Sequence, residues 1–144
     1  MGEEICRRFR FSNEHTEQIV ALVANHMRFK DVERMRAATL KRFVRMPRFD
    51  EHMELHRLDC QASNGYTDTY NFVRNQLQTL SQEELRPARL VNGDDLLAAG
   101  YCPGPSFGVA LEAVESAQLE GRLHTREEAL QLAQEVLGGS RKKE

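Results

Sequence analysis

What this 144-residue sequence lacks narrows its class before any motif is considered. No apolar run approaches the roughly 18 residues that a membrane-spanning helix requires. The opening Met1-Gly2-Glu3-Glu4 has none of the basic-then-apolar layout of a signal peptide. Cysteine is scarce: Cys6, Cys60 and Cys102 are odd in number and far apart. That spacing argues against a disulfide framework or a zinc finger, and for a reducing compartment. No stretch alternates apolar and polar residues with period two, and neither a hairpin signal nor an internal repeat is present. The expectation is a cytoplasmic, all-α protein with no membrane partner.

What is present is unevenly distributed. The net charge is only −2, but residues 1–48 carry 11 Lys/Arg against 6 Asp/Glu, a balance of +5, and the remainder is correspondingly acidic. Such segregation suits either a polyanion-binding end or a merely solvated basic face.

Apolar periodicity places the helices. Ile19, Leu22, Val23 and Met27 recur at three and four residues, and Ser12 or Asn13 can cap the helix they define. A short basic segment follows, with Leu40, Phe43 and Val44 on one face and Lys41, Arg42 and Arg45 turned outward, stopped by Pro47. A helix is expected from about Phe49 to Ala62, ending near Asn64-Gly65, and another from Thr67 or Asp68 through Leu77. Residues 81–93, polar and interrupted by Pro87, read as a linker. Beyond it come a short helix at 94–99, a glycine-proline turn at 100–105 and a longer helix through Phe107, Leu111, Val114 and Ala117. Thr125 with Glu128 forms a capping box for a last helix through Val136. The architecture predicted is a helical array of about seven to eight helices. It comprises a larger N-terminal bundle (1–80), the linker (81–93), a small C-terminal helical unit (94–138) and a frayed tail (139–144).

Catalytic patterns are absent. There is no P-loop, G-x-G-x-x-G, His-Glu-x-x-His or adjacent His-Asp pair, and no Cys-His-Asn arrangement is visible. His52, His56 and Asp59 fall on one helical face, and with His26 they could suggest a metal site. Too few ligands accompany them, so some of His26, His56 and Asp59 are expected to form a structural polar contact between the first and third helices, with no metal. The turn around Gly104, Ser106 and Gly108 is open to two readings. Free amides at the start of the following helix can hold a phosphate oxygen, or the turn can simply let two helices pack.

Two longer strings carry a family likeness: MRAATLKRFVRMPRFDEHMELHRLDCQASNGYTDTY and NGDDLLAAGYCPGPSFGVALEAVESAQLEGRLHTREEAL. Together with the stretch from Leu22-Val23 to His26-Met27, they resemble the C-terminal half of bacterial CCA-adding enzymes and poly(A) polymerases. The resemblance runs from about Ile5 to Leu137, and its opening resembles the tail of an HD-type region. It implies a helical body that holds RNA, in particular tRNA, behind an N-terminal nucleotidyltransferase head. The head's Gly-Ser turn and metal-binding carboxylate pair do not occur here, and Lys30-Asp31-Val32-Glu33-Arg34 matches the nucleotide-selecting pattern only at Asp31 and Arg34. Mg²⁺ and ATP or CTP would therefore belong to the absent head, and this chain is expected to have no cofactor and no catalytic residues of its own. The expectation is a truncated or detached homologue whose full-length relatives are nucleotidyltransferases. Arg36, Lys41, Arg42, Arg45 and Arg48 are the expected phosphate-facing residues, with Gly104, Ser106 and Gly108 a second contact. The alternative is a helical protein-interaction or dimerisation domain without an RNA role in isolation, and homo-oligomerisation is compatible with either reading.

Overall fold

The computed structural model describes residues 1–138, and every regular element among them is a helix. In chain order these are α1 (Gly2–Arg8), α2 (Asn13–Asn25), a 3₁₀ helix (His26–Arg34), α3 (Ala37–Val44), α4 (Phe49–Ser63) and α5 (Asp68–Thr79). They continue with α6 (Gln82–Leu85), α7 (Gly93–Ala98), α8 (Pro105–Leu119) and α9 (Arg126–Leu137). The all-α expectation holds, with slightly more helices than the periodicity indicated. The expected frayed tail at 139–144 lies outside the described residues.

Local chemistry sets most of the boundaries. Ser12 Oγ accepts from the His15 amide, which serves one of the orphan donors at the start of α2. Asn64 caps α4, and Gly65 follows at φ +75°, a conformation that glycine adopts without a Cβ clash. Three capping boxes open α6 (Ser81/Glu84), α7 (Asn92/Asp95) and α9 (Thr125/Glu128). The first of these lies inside the predicted linker, so that segment is partly helical.

Contacts divide the chain into two units. The first comprises Met1–Met35 with Val44–Thr79, and the second comprises Arg36–Phe43 with the described residues from Leu80 to Gly138. Thus 36–43, expected within the N-terminal bundle, groups with the C-terminal elements.

The first unit is built around rings. Phe29 and Val32 of the 3₁₀ helix are fully buried, as are most of Phe49, His52, Met53, His56 and Cys60 of α4 and all of Val73 of α5. Phe29 stacks on His56 with ring centroids 4.2 Å apart and on Phe49 at 6.0 Å, and Phe49 stacks on His52 at 6.0 Å. In the second unit, Val91, Leu96, Tyr101, Ala110, Val114, Ala129, Ala133 and Leu137 form one cluster. Ala110, Ala129 and Ala133 are fully buried, and their small side chains let α8 and α9 pack closely.

Candidate nucleic-acid interface

The basic helix α3 exists because Ala38, Leu40, Phe43 and Val44 supply one buried face at helical spacing. Amphipathicity alone would send its cations to water. Two of them go elsewhere. Lys41 Nζ donates to the backbone carbonyl of Leu119 at 2.9 Å, on the last residue of α8. A cation there meets both an orphan carbonyl and the negative end of the helix dipole. Arg42 donates from Nε and Nη2 to Glu115 Oε2 at 3.1 and 2.7 Å, and from Nη1 to Ser116 Oγ at 3.0 Å. Its Nη2 also reaches the Glu112 carbonyl at 3.4 Å. This planar fork, with side chains only 28% and 34% exposed for Arg42 and Glu115, ties α3 to α8. The outward orientation expected of Lys41 and Arg42 is corrected accordingly: both are half-buried and face α8.

The other expected phosphate contacts are placed differently. Arg36 is exposed at the start of α3, where its carbonyl accepts from the Leu40 amide at 2.9 Å. Arg45 is half-buried in the first unit. Arg48, also in the first unit, is exposed and left-handed at φ +51°, and pairs with Glu51 and more loosely with Glu14 at 4.0 Å. Gly104 and Gly108 are exposed and Ser106 is half-buried at the start of α8. That helix begins with Pro105 in its first turn and no side-chain cap, while the Phe107 amide donates back to Gly104 at 3.0 Å. Gly104 itself is extended backbone, so the turn needs no left-handed glycine there.

The second unit also holds a groove of about 410 Å³ lined by Lys41, Glu84, Gln118 and His124 among others. Lys41, Glu84 and Gln118 of this lining already have partners. Glu84 closes the Ser81 capping box, and bonds from that backbone and hydroxyl hold its carboxyl below the ordinary range. Gln118 Nε2 donates to the Ala88 carbonyl at 2.6 Å.

The histidine cluster has partners other than those expected. His26 Nδ1 lies 2.6 Å from the Val23 carbonyl in its own helical turn. His56 Nε2 lies 2.8 Å from Thr69 Oγ1, so it bridges α4 to α5 through a hydroxyl. Asp59 acts on His56 only through its charge. His26 and His56 thus make separate contacts, one within its own helical turn and one from α4 to α5, rather than a shared one between α2 and α4. Burial pushes the His56 imidazole below its ordinary value, against a smaller opposing pull from Asp59, and likewise lowers His52 against Glu51. His52 is 2% exposed, and its Nδ1 has no hydrogen-bond partner among the described residues. Cys60 Sγ sits 3.5 Å from His56 Nε2, but burial and then Asp59 raise the thiol, which keeps it protonated and unreactive.

Sequence reasoning missed Glu115, Ser116 and the Leu119 carbonyl as partners of α3. The only hint was the acidic pair Glu112 and Glu115 at helical spacing, which could complement a basic helix.

The family described as tRNA nucleotidyltransferase domain 2 matches residues 2–133. A CC-adding tRNA nucleotidyltransferase from Thermus thermophilus is 32% identical over 136 residues, a match that covers 90% of this chain. The same match covers 31% of the relative, so the chain corresponds to about a third of that protein's length. No solved structure matches.

Proposed function

The chain belongs to the tRNA nucleotidyltransferase domain 2 family, and from that premise we propose that it binds and positions RNA, specifically tRNA, for a nucleotidyltransferase head. The observation that carries this reading is the near-complete match of the chain to one third of a CC-adding tRNA nucleotidyltransferase. The described residues bring no three His, Cys, Asp or Glu side chains together in a way that could hold a metal. On this reading the magnesium that clamps a nucleotide triphosphate, and the nucleotide itself, belong to the head.

The contacts of Lys41 and Arg42 support a division of the basic residues by role. Lys41 and Arg42 are positioning residues that hold α3 on α8 and so fix where Arg36 is presented. Arg36 supplies a phosphate contact on the second unit, and Arg45 and Arg48 separately supply phosphate contacts on the first. The amides around Gly104, Ser106 and Gly108 add a weaker contact on the second unit. Phosphate contacts position RNA without reading its sequence.

Titrating the full chain with tRNA at two salt concentrations tests this. Affinity should fall steeply with salt, with a logarithmic slope of roughly 0.7–0.9 per phosphate neutralised. Arg36→Ala/Arg48→Ala should weaken binding to different tRNAs about equally and flatten the slope, with circular dichroism unchanged. Absence of tRNA binding at low salt by the folded chain would favour a helical protein-interaction domain instead.

A further inference from the structure

The groove in the second unit has a chemistry that phosphate contacts do not use. Its volume of about 410 Å³ is that of a small-molecule site. Half-buried Leu90 and Leu123 supply apolar walls, and His124 adds an exposed imidazole that makes no hydrogen bond among the described residues. The polar groups retain acceptors beyond the bonds they already make. Glu84 uses Oε2 for the Ser81 amide at 2.8 Å, which leaves Oε1. Glu83, in the same turn of α6, is exposed and makes no hydrogen bond or ion pair among the described residues. Gln118 gives an Nε2 proton to the Ala88 carbonyl, which can only accept, so its Oε1 remains. Against these stands the donor Lys41, which gives one of three ammonium protons to the Leu119 carbonyl and keeps two.

Two carboxylates against one ammonium disfavour a phosphate inside the groove and suit the uncharged part of a nucleotide. A nucleobase has flat faces that stack on side chains such as histidine, and an edge that hydrogen-bonds. The acceptor-rich lining selects among edges. An exocyclic amine can donate to a carboxylate while a neighbouring acceptor on the base takes a proton from the ammonium, as cytosine and adenine allow. Uracil would set a carbonyl oxygen against the carboxylates instead. We infer that the groove holds an unpaired, amino-bearing base, cytosine or adenine, with Glu83 and Lys41 reading its edge and His124 stacking on its face. The sugar and phosphate stay outside, where Arg89 is exposed between the lining residues Pro87 and Leu90. The inference rests on the RNA reading for the source of the base, and it adds base selection to phosphate contacts that carry none.

Titrating the full chain with short single-stranded oligo(C) and oligo(U) at one low salt concentration tests this, with free cytidine, adenosine and uridine followed by amide NMR shifts. Oligo(C) should bind at least about fivefold more tightly than oligo(U), the discrimination of one good base contact. Cytidine and adenosine should shift the amides of Glu83, Leu90 and His124, and uridine should not. Glu83→Gln turns an acceptor-only group into one that also donates, so it should bring the preference for C over U toward unity. Glu83 is exposed and takes no part in the Ser81 capping box, so circular dichroism should be unchanged. His124→Ala should weaken both oligonucleotides by about fivefold or more and leave the preference intact. Equal affinity for the two oligonucleotides, with both variants silent, overturns the pocket and leaves sequence-blind RNA binding standing. Cytidine shifts without any RNA binding would support the pocket with a free nucleoside as its occupant and overturn the RNA reading. Absence of both overturns both.

Discussion

The two units of this molecule solve the same packing problem with different materials. The first is centred on four stacked rings, two of them titratable, and one of those histidines has an unsatisfied nitrogen. The second is centred on small and aliphatic side chains, starts three helices with capping boxes, and places its half-buried cations on a helix C-terminus and a glutamate. Its polar groups are satisfied near the surface, while the first unit takes polar groups into its core. A ring-based core should therefore be the more sensitive to truncation and to protons, and the second unit more sensitive to loss of specific polar contacts.

The largest effect expected from breaking this contrast is Phe29→Ala. Phe29 is fully buried and contacts two other rings, so its removal should cost about 3–5 kcal/mol. Hydrogen exchange should show lost protection in the 3₁₀ helix and α4, with α8 and α9 still protected. Equal loss in α8 and α9 would show that the contrast between the units has no energetic meaning.

A smaller effect should follow Arg42→Met, which keeps the aliphatic stem but deletes the fork to Glu115 and Ser116. Partial exposure limits the cost to about 1–2 kcal/mol by denaturant unfolding. A double-mutant cycle with Glu115→Gln should show coupling between the two positions. Strict additivity would mean that α3 is held by its apolar face alone.

Acid should separate the units most gently. His52 and His56 have lowered folded-state values, so the unfolded chain takes up protons first as pH falls through the ordinary value of 6.5. Their contribution is present above that pH and is lost progressively below it. Glu84 and Glu128 of the capping boxes are also lowered, but from 4.5, and their contribution declines only below that value. Between pH 6.5 and 4.5 the first unit should loosen before the second, measurable as selective exchange in α4 and α5. His52→Phe should reduce that slope, and an unchanged slope would remove His52 from the account.

Much of the helical pattern was legible. Ser12 as a cap, the stop at Asn64-Gly65 and the Thr125/Glu128 box all appear as expected, because capping uses side chains within a few residues of the backbone groups they serve. The same logic should have found Ser81-x-x-Glu84, but Pro87 drew attention to the break and away from the helix before it. The 3₁₀ helix was not legible, since Phe29 is anchored by Phe49 and His56, rings distant in sequence.

The sequence by itself determined that the chain is helical, where most helices start and stop, and which family it resembles. These follow from residue type at short spacing and from ordered strings of residues. Tertiary structure decided where the charges and histidines went. Lys41 and Arg42 sit on a helix whose period calls for an outward cation, but α8 offers an orphan carbonyl and a carboxylate to them across more than 70 residues. His56 found a threonine hydroxyl rather than Asp59. Side-chain partners of this kind depend on which helix faces lie side by side, and periodicity within one helix carries no information about its neighbour.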